Sequence, residues 1–342
     1  MIPNEKVCNL LFNGMELSTS GRVRPCCLFD RYLGDDTGQF LLEKHSIKKI
    51  FYSNDYQELR RKSLAGEYIS ECSQCFTEEA SGVKSKRQRE LIREVDYNNP
   101  VIQQLDIKTG NTCNLKCPIC NPQHSSKFNS ENKQLGLITV DNKYKYNWND
   151  RQHVWDSIIS MADNIQHLDF MGGEPMLDKQ HIRVLEYLIE NNTSKNITIN
   201  YVTNGTVVNN KVLDLFPNFK RVSILLSADG IGRAFEYCRF PGKWIDFEKN
   251  LNTYMNMNVK LAISYSISMY SLFDVFDALD YYTDKNIDVW LNFVYYEQDV
   301  SFFPEDIKNK FVEQYALRKR EWKYTENTLD SVVDFMYRNQ HN

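Results

Sequence analysis

No apolar run in this chain of 342 residues approaches the roughly 18 needed to span a bilayer, so no transmembrane helix is expected. The first residues, Met-Ile-Pro-Asn-Glu-Lys, lead into no signal-peptide core. An excess of positive charge is also missing. Lys and Arg number 41 against 45 Asp and Glu, giving a formal net charge of −4 and a pI near 5.9. Proteins that wrap nucleic acid need a basic field, so the acidic balance disfavours a nucleic-acid partner. The basic stretch 84–93 reads as the solvated face of a helix. Internal repeats and low-complexity tracts are absent. His124, His153, His167 and His181 have no mutual spacing that suggests a metal site, and read as surface or satisfied core residues.

What is present is cysteine, nine of them. An odd total with C-x2-C pairs fits metal binding in a reducing compartment, which points to the cytoplasm, better than a secreted disulfide framework. Cys113, Cys117 and Cys120 are separated by three residues and then two. Three thiolates on one short loop can hold three corners of a 4Fe–4S cube, leaving one iron open to another ligand. Zinc is the alternative, with His124 close enough to be weighed. Cys8, Cys26, Cys72 and Cys75 offer four further thiolates, enough to close a second cube or to hold a structural zinc. Cys27 adjoins Cys26, so the two are exchangeable in this role, and Cys238 stands apart.

An apolar fraction of 42% supports a sizeable core, and the length suggests roughly two domains. The chain divides near residues 97–100, where weak periodicity gives way to short apolar runs alternating with amphipathic stretches. Strands are expected at 101–107, 165–170, 197–202, 222–226, 259–267 and 289–294. Helices are expected at 148–164, 180–191, 208–216, 244–257 and 272–283, with two more over 305–342. Six-fold strand–helix alternation argues for parallel strands with helical crossovers, an α/β fold. The residues able to do chemistry fall at strand C-termini, where barrels of this kind carry their sites.

The triad spacing, with Gly172-Gly173-Glu174-Pro175 at the end of the next strand, resembles the radical S-adenosylmethionine (SAM) superfamily. The C-x(9–15)-G-x4-C spacing of Cys8, Gly21 and Cys26, followed by Cys72 and Cys75, resembles twitch/SPASM auxiliary-cluster domains; that glycine spacing selects Cys26 over Cys27. The resemblance runs from Cys8 to about Val294. It implies a partial (β/α)6 barrel at 98–300, a small N-terminal iron–sulfur domain at 1–97 and a C-terminal helical extension at 301–342. It also implies two 4Fe–4S clusters, SAM, and an external electron donor of flavodoxin or ferredoxin type. In that family SAM chelates the open iron, and one electron breaks a C–S bond to release a 5′-deoxyadenosyl radical.

Residue by residue, the resemblance assigns Gly172, Gly173 and Glu174 to the SAM amino group, and Thr203, Asn204, Ser227 and Asp229 to SAM or substrate. Arg239 would pair with the SAM carboxylate, or lie in a surface salt bridge. Ile119 stands where the family carries an aromatic near adenine, and still offers an apolar contact. Glu174 also reads as a carboxylate near a helix N-terminus. Cys238 reads as a buried small hydrophobe or as a hydrogen-atom donor that quenches a substrate radical. Twitch and SPASM relatives act on ribosomal peptides, amino sugars and small metabolites. A peptide substrate is expected first, then a sugar, nucleoside or other small metabolite. A non-catalytic zinc or iron–sulfur scaffold is the reading from another class.

Overall fold

The computed structural model describes residues 4–318, 321–324 and 327–338. It separates into two compact units. The first comprises Met1–Thr112, Val140–Asn200 and Lys211–Arg221; the second comprises Cys113–Thr139, Tyr201–Asn210 and Val222–Asn342.

In the first unit, β1 (Gly14–Leu17) pairs antiparallel with β2 (Val23–Arg24), and β3 (Gly34–Asp35) with β4 (Gly38–Gln39). β1 also pairs in parallel with β5 (Gln104–Lys108), and β5 with β6 (His167–Met171). The order within this unit is therefore β6-β5-β1-β2. The division between units passes through β7 (Thr198–Thr203). β5 and β6 alternate as a period of two demands: Leu105, Ile107, Leu168 and Phe170 are fully buried, while Asp106, Lys108, His167 and Asp169 are half-buried on the other face. Ile182–Glu190 turns Ile182, Val184, Leu185 and Leu188 inward, and the Phe170 and His181 rings meet at 4.9 Å. His181 is wholly buried, and burial lowers its pKa to about 3.

The N-terminal segment gave little periodicity, yet it is well held. Helix Asn54–Leu64 starts at Ser53, whose side chain accepts from Tyr56 N, and the buried Tyr56 hydroxyl donates to Gly14 O at 2.6 Å. Helix Lys86–Glu90 opens with a capping box of Ser85 and Gln88. The solvated face expected over 84–93 is corrected here. Arg87 is buried, pairs with Glu79, and donates to the carbonyls of Glu5 and Val7. The expected helix 148–164 is also corrected: only Gln152–Ile159 is α-helical, flanked by 3-10 turns at Trp148–Asp150 and Ala162–Asn164. Trp148 is fully buried and donates to Ser18 O at 2.9 Å, which fixes the turn through tertiary contact.

In the second unit, β8 (Arg221–Ser227), β9 (Lys260–Ile267) and β10 (Asp288–Phe293) pair in parallel in the order β10-β9-β8. Helices Gly232–Cys238, Trp244–Met255 and Val275–Asp284 supply the crossovers, and Phe235, Phe247 and Trp244 form an aromatic cluster among them. The C-terminal helices are Glu305–Leu317 and Leu329–Tyr337; residues 339–342 of the expected helix lie outside the described residues. The architecture is thus a mostly parallel sheet with helical crossovers, as a partial barrel requires. No helix among the described residues is long and apolar enough to cross a membrane.

Candidate functional site: two cysteine sets and the strand-end loops

In the second unit, the triad loop is fixed at several points. Cys113 N donates to Ser126 Oγ at 3.2 Å, Cys120 N to Cys117 O at 2.9 Å, and Lys116 N to Phe240 O at 2.7 Å. Ser125 caps the following helix Ser126–Leu135 and donates to Leu115 O at 2.5 Å, so the loop is pinned to a helix start. Cys117 is buried while Cys113 and Cys120 are half-buried. Burial, reinforced by Cys117, pushes the Cys120 thiol up to about 11. Burial also raises Cys117, against the pull of the Arg239 guanidinium.

The strand-end residues of this unit gather on that loop. Asn204 Nδ2 donates to Asn114 Oδ1 at 2.9 Å and lies 4.0 Å from the Cys113 sulfur, while Asn114 Nδ2 donates to Thr206 Oγ1 at 2.8 Å. Thr203 is buried and its hydroxyl accepts from Gly205 N. Asp229 accepts from Ser266 N at 2.8 Å and forms an ion pair with Arg239 at 2.7 Å. Arg239 is therefore half-buried against Asp229, and its pKa is raised: burial alone would lower it, but the charges of Asp229 and Cys117 prevail. Ser227 and Ile119 are half-buried. Cys238 is buried, its sulfur 3.8 Å from Tyr270 O. Asn114 and Thr206 went unremarked in the sequence because an Asn after a cysteine and a Thr after a turn carry no signal of their own.

In the first unit, Gly172 has φ +123°, and a Cβ there would meet Thr109 N at 2.8 Å. At Gly173 a Cβ would sit 2.3 Å from Thr112 O. Both glycines are thus required by close backbone approach, and Glu174 N donates to Thr112 O at 2.8 Å. Glu174 is buried, and its Oε1 accepts from Met176 N at 2.9 Å, the end-of-helix arrangement weighed above for this carboxylate.

Also in the first unit, Cys8, Cys26, Cys72 and Cys75 line one small cavity walled by Leu10, Leu28 and Phe29. Burial and mutual repulsion raise the Cys8 and Cys72 thiols to about 12, and burial likewise raises Cys26. Such a set of thiols is unfavourable to ionise unless a cation is bound, so its chemistry fits a thiolate-ligated centre. Cys27 goes elsewhere: its sulfur lies with carboxylate oxygens of Glu16 and Asp106, all within 4.8 Å of one another.

Residues 107–297 match the Radical SAM superfamily model, and residues 8–76 match that of the SPASM iron–sulfur cluster-binding domain. The chain belongs to the radical SAM superfamily of enzymes and carries a SPASM-type iron–sulfur domain ahead of the barrel. It is 25% identical over 231 residues to the radical SAM cyclopropyl synthase TigE of Paramaledivibacter caminithermalis, covering 63% of this chain and 46% of that protein. It is 28% identical over 131 residues to an uncharacterized protein of Methanocaldococcus jannaschii, covering 38% of this chain and 40% of that one. The match thus spans less than half the length of either curated relative. Similar solved structures include Streptococcus suis SuiB bound to precursor peptide SuiA (15% identity, TM-score 0.45, 75% of this chain and 62% of that chain). Another is anSMEcpe with bound AdoMet (17% identity, TM-score 0.47, 66% and 61%).

Proposed function

We propose that this chain reductively cleaves SAM to a 5′-deoxyadenosyl radical and uses it to abstract a hydrogen atom from a peptide, leading to crosslinking, epimerisation or oxidation. The observation that carries the reading is the triad itself: three thiols on one anchored loop, with Asn204 beside the Cys113 sulfur. Cys113, Cys117 and Cys120 would hold the SAM cluster, and Cys8, Cys26, Cys72 and Cys75 a second, closed one. When bound, cluster and SAM supply the radical; the protein's own task is to orient the ligands and exclude competing hydrogen donors. Asn204 and Asn114 brace the loop beside the Cys113 sulfur. Gly172 and Gly173 let the turn pack closely on the 109–112 backbone, and this turn with the Glu174 carboxylate would receive the SAM amino group. Arg239 would exchange Asp229 for the SAM carboxylate, with Thr203, Ser227, Asp229 and Ile119 completing the SAM contacts. Cys238, buried, keeps its reading as a packing residue or hydrogen donor.

The choice of peptide over sugar, nucleoside or other small metabolite rests on the resemblance to twitch and SPASM enzymes. A flavodoxin or ferredoxin would deliver the electron. The auxiliary cluster, closed by four thiolates, would act as electron acceptor or brace. The domains proposed are 1–97, 98–300 and 301–342. Anaerobically purified protein should be brown, absorb near roughly 400 nm, and hold two cubes of iron. With dithionite and SAM it should release 5′-deoxyadenosine, and with a deuterated peptide substrate the label should enter it. Colourless, zinc-loaded protein would overturn the reading.

A further inference from the structure

β1, β5 and β6 bring Glu16, Asp106 and Asp169 into one row: Asp106 is directly in register with Glu16 on one side and Asp169 on the other. Neighbouring strands lie about 4.8 Å apart, and like charges directly opposite destabilise a sheet. The row occupies the face away from buried Leu105, Ile107, Leu168 and Phe170, three residues before the Gly172–Glu174 turn on β6. Its members are not equally satisfied. Glu16, fully buried, is saturated: Arg24 donates to both its oxygens at 2.9 and 3.0 Å, and Lys108 lies 3.2 Å away. Asp169 Oδ1 accepts from Asn200 Nδ2 at 2.5 Å. Asp106 Oδ1 is shut off from solvent and has no hydrogen-bond partner.

A buried acceptor without a donor is costly, and such a group calls for an explanation. A metal ion does not supply one. Although Glu16, Asp106 and Cys27 converge within 4.8 Å, Arg24 already neutralises Glu16 and burial raises the Cys27 thiol, which disfavours a metal ion there. A neutral hydroxyl would satisfy one oxygen and leave the repulsion along the row. An organic cation relieves both, offering several N–H donors and a charge. We infer that Asp106, backed by Asp169, is the recognition point for an ammonium or guanidinium group of the substrate. On the peptide reading above, on which this inference rests, that group is a lysine or arginine side chain. Consistent with this, burial and then the Glu16 charge raise Asp106 to about 7 even though Lys108 and Lys86 pull the other way, so the site still gains by receiving positive charge.

The test uses the reconstituted protein with SAM and capped tripeptides whose central residue is lysine or arginine, with N-acetyl-lysine and citrulline as neutral counterparts. Titration calorimetry should show at least ten-fold weaker binding of both neutral peptides, and a similar loss for the charged ones in Asp106→Asn. Equal binding of charged and neutral peptides, no binding of a charged peptide up to about 10 mM, or unchanged affinity in Asp106→Asn would overturn the inference. Should Asp106→Asn fail to fold, Asp169→Asn serves in its place with the same expectation. Binding is read without turnover. A wild type that cleaves SAM but ignores peptide charge defeats this inference alone; one that cannot cleave SAM defeats the proposed function.

Discussion

The two cysteine sets differ in how the chain assembles them, and the difference bears on their chemistry. Cys113, Cys117 and Cys120 come from one loop, partly open, braced by backbone hydrogen bonds and by Asn204 beside a sulfur. Cys8, Cys26, Cys72 and Cys75 come from separate segments and line a cavity with apolar walls. A loop that carries all its thiols within eight residues needs few segments brought together to present them. A centre gathered from distant segments closes several chain loops at once, so its loss costs folding as well as chemistry.

The sharpest way to break this comparison is Cys113→Ala. SAM cleavage should vanish while about half of the iron remains, read by deoxyadenosine release and iron analysis; full loss of iron would erase the distinction between the sets. Next, Cys26→Ser should lose the auxiliary iron and Cys27→Ser should keep it, because only Cys26 joins the other thiols at the cavity. Equal loss in both would mean the pair exchanges roles.

A smaller effect concerns the frame behind the auxiliary cysteines. Arg87 also borders their cavity, and Arg87→Met would leave Glu79 without its partner. Because Glu79 is only half-buried and keeps Ser85, the loss should be about 1–3 kcal/mol, visible as a lower urea midpoint. The smallest effect is a pH dependence. Burial would raise the Glu79 carboxyl, but hydrogen bonds from Arg87 and Ser85 outweigh it and hold the pKa below the usual Glu value. The stabilisation is therefore complete above the ordinary Glu range and is lost as pH falls through the lowered value. The stability gap between wild type and Glu79→Gln should accordingly shrink on acidification, measured by denaturant midpoints from pH 7 down to about 3.

Much was legible in the chain because the signals are local. The strands at Thr198–Thr203 and Lys260–Ile267 and the helix Trp244–Met255 lie within two residues of the expected bounds, since apolar period and turn residues mark them. β1 was not legible: all four residues of Gly14–Leu17 are buried, with no alternation to reveal a strand, and one of them is a glutamate. A buried glutamate there makes sense only once Arg24 and Lys108 reach it. Arg87 misled for the same reason, since a basic run looks solvated until a distant carboxylate and two carbonyls claim one member.

By itself, then, the sequence determined the cysteine spacing, the strand–helix rhythm and the glycines at the β6 turn, because each depends on neighbours a few residues away. The tertiary structure decided that Cys27 turns to Glu16 and Asp106, that Arg239 rests on Asp229, and that three acids share one row. Those outcomes turn on which face of a strand or loop a side chain takes and on charges brought together from afar, and long-range pairing alone fixes both.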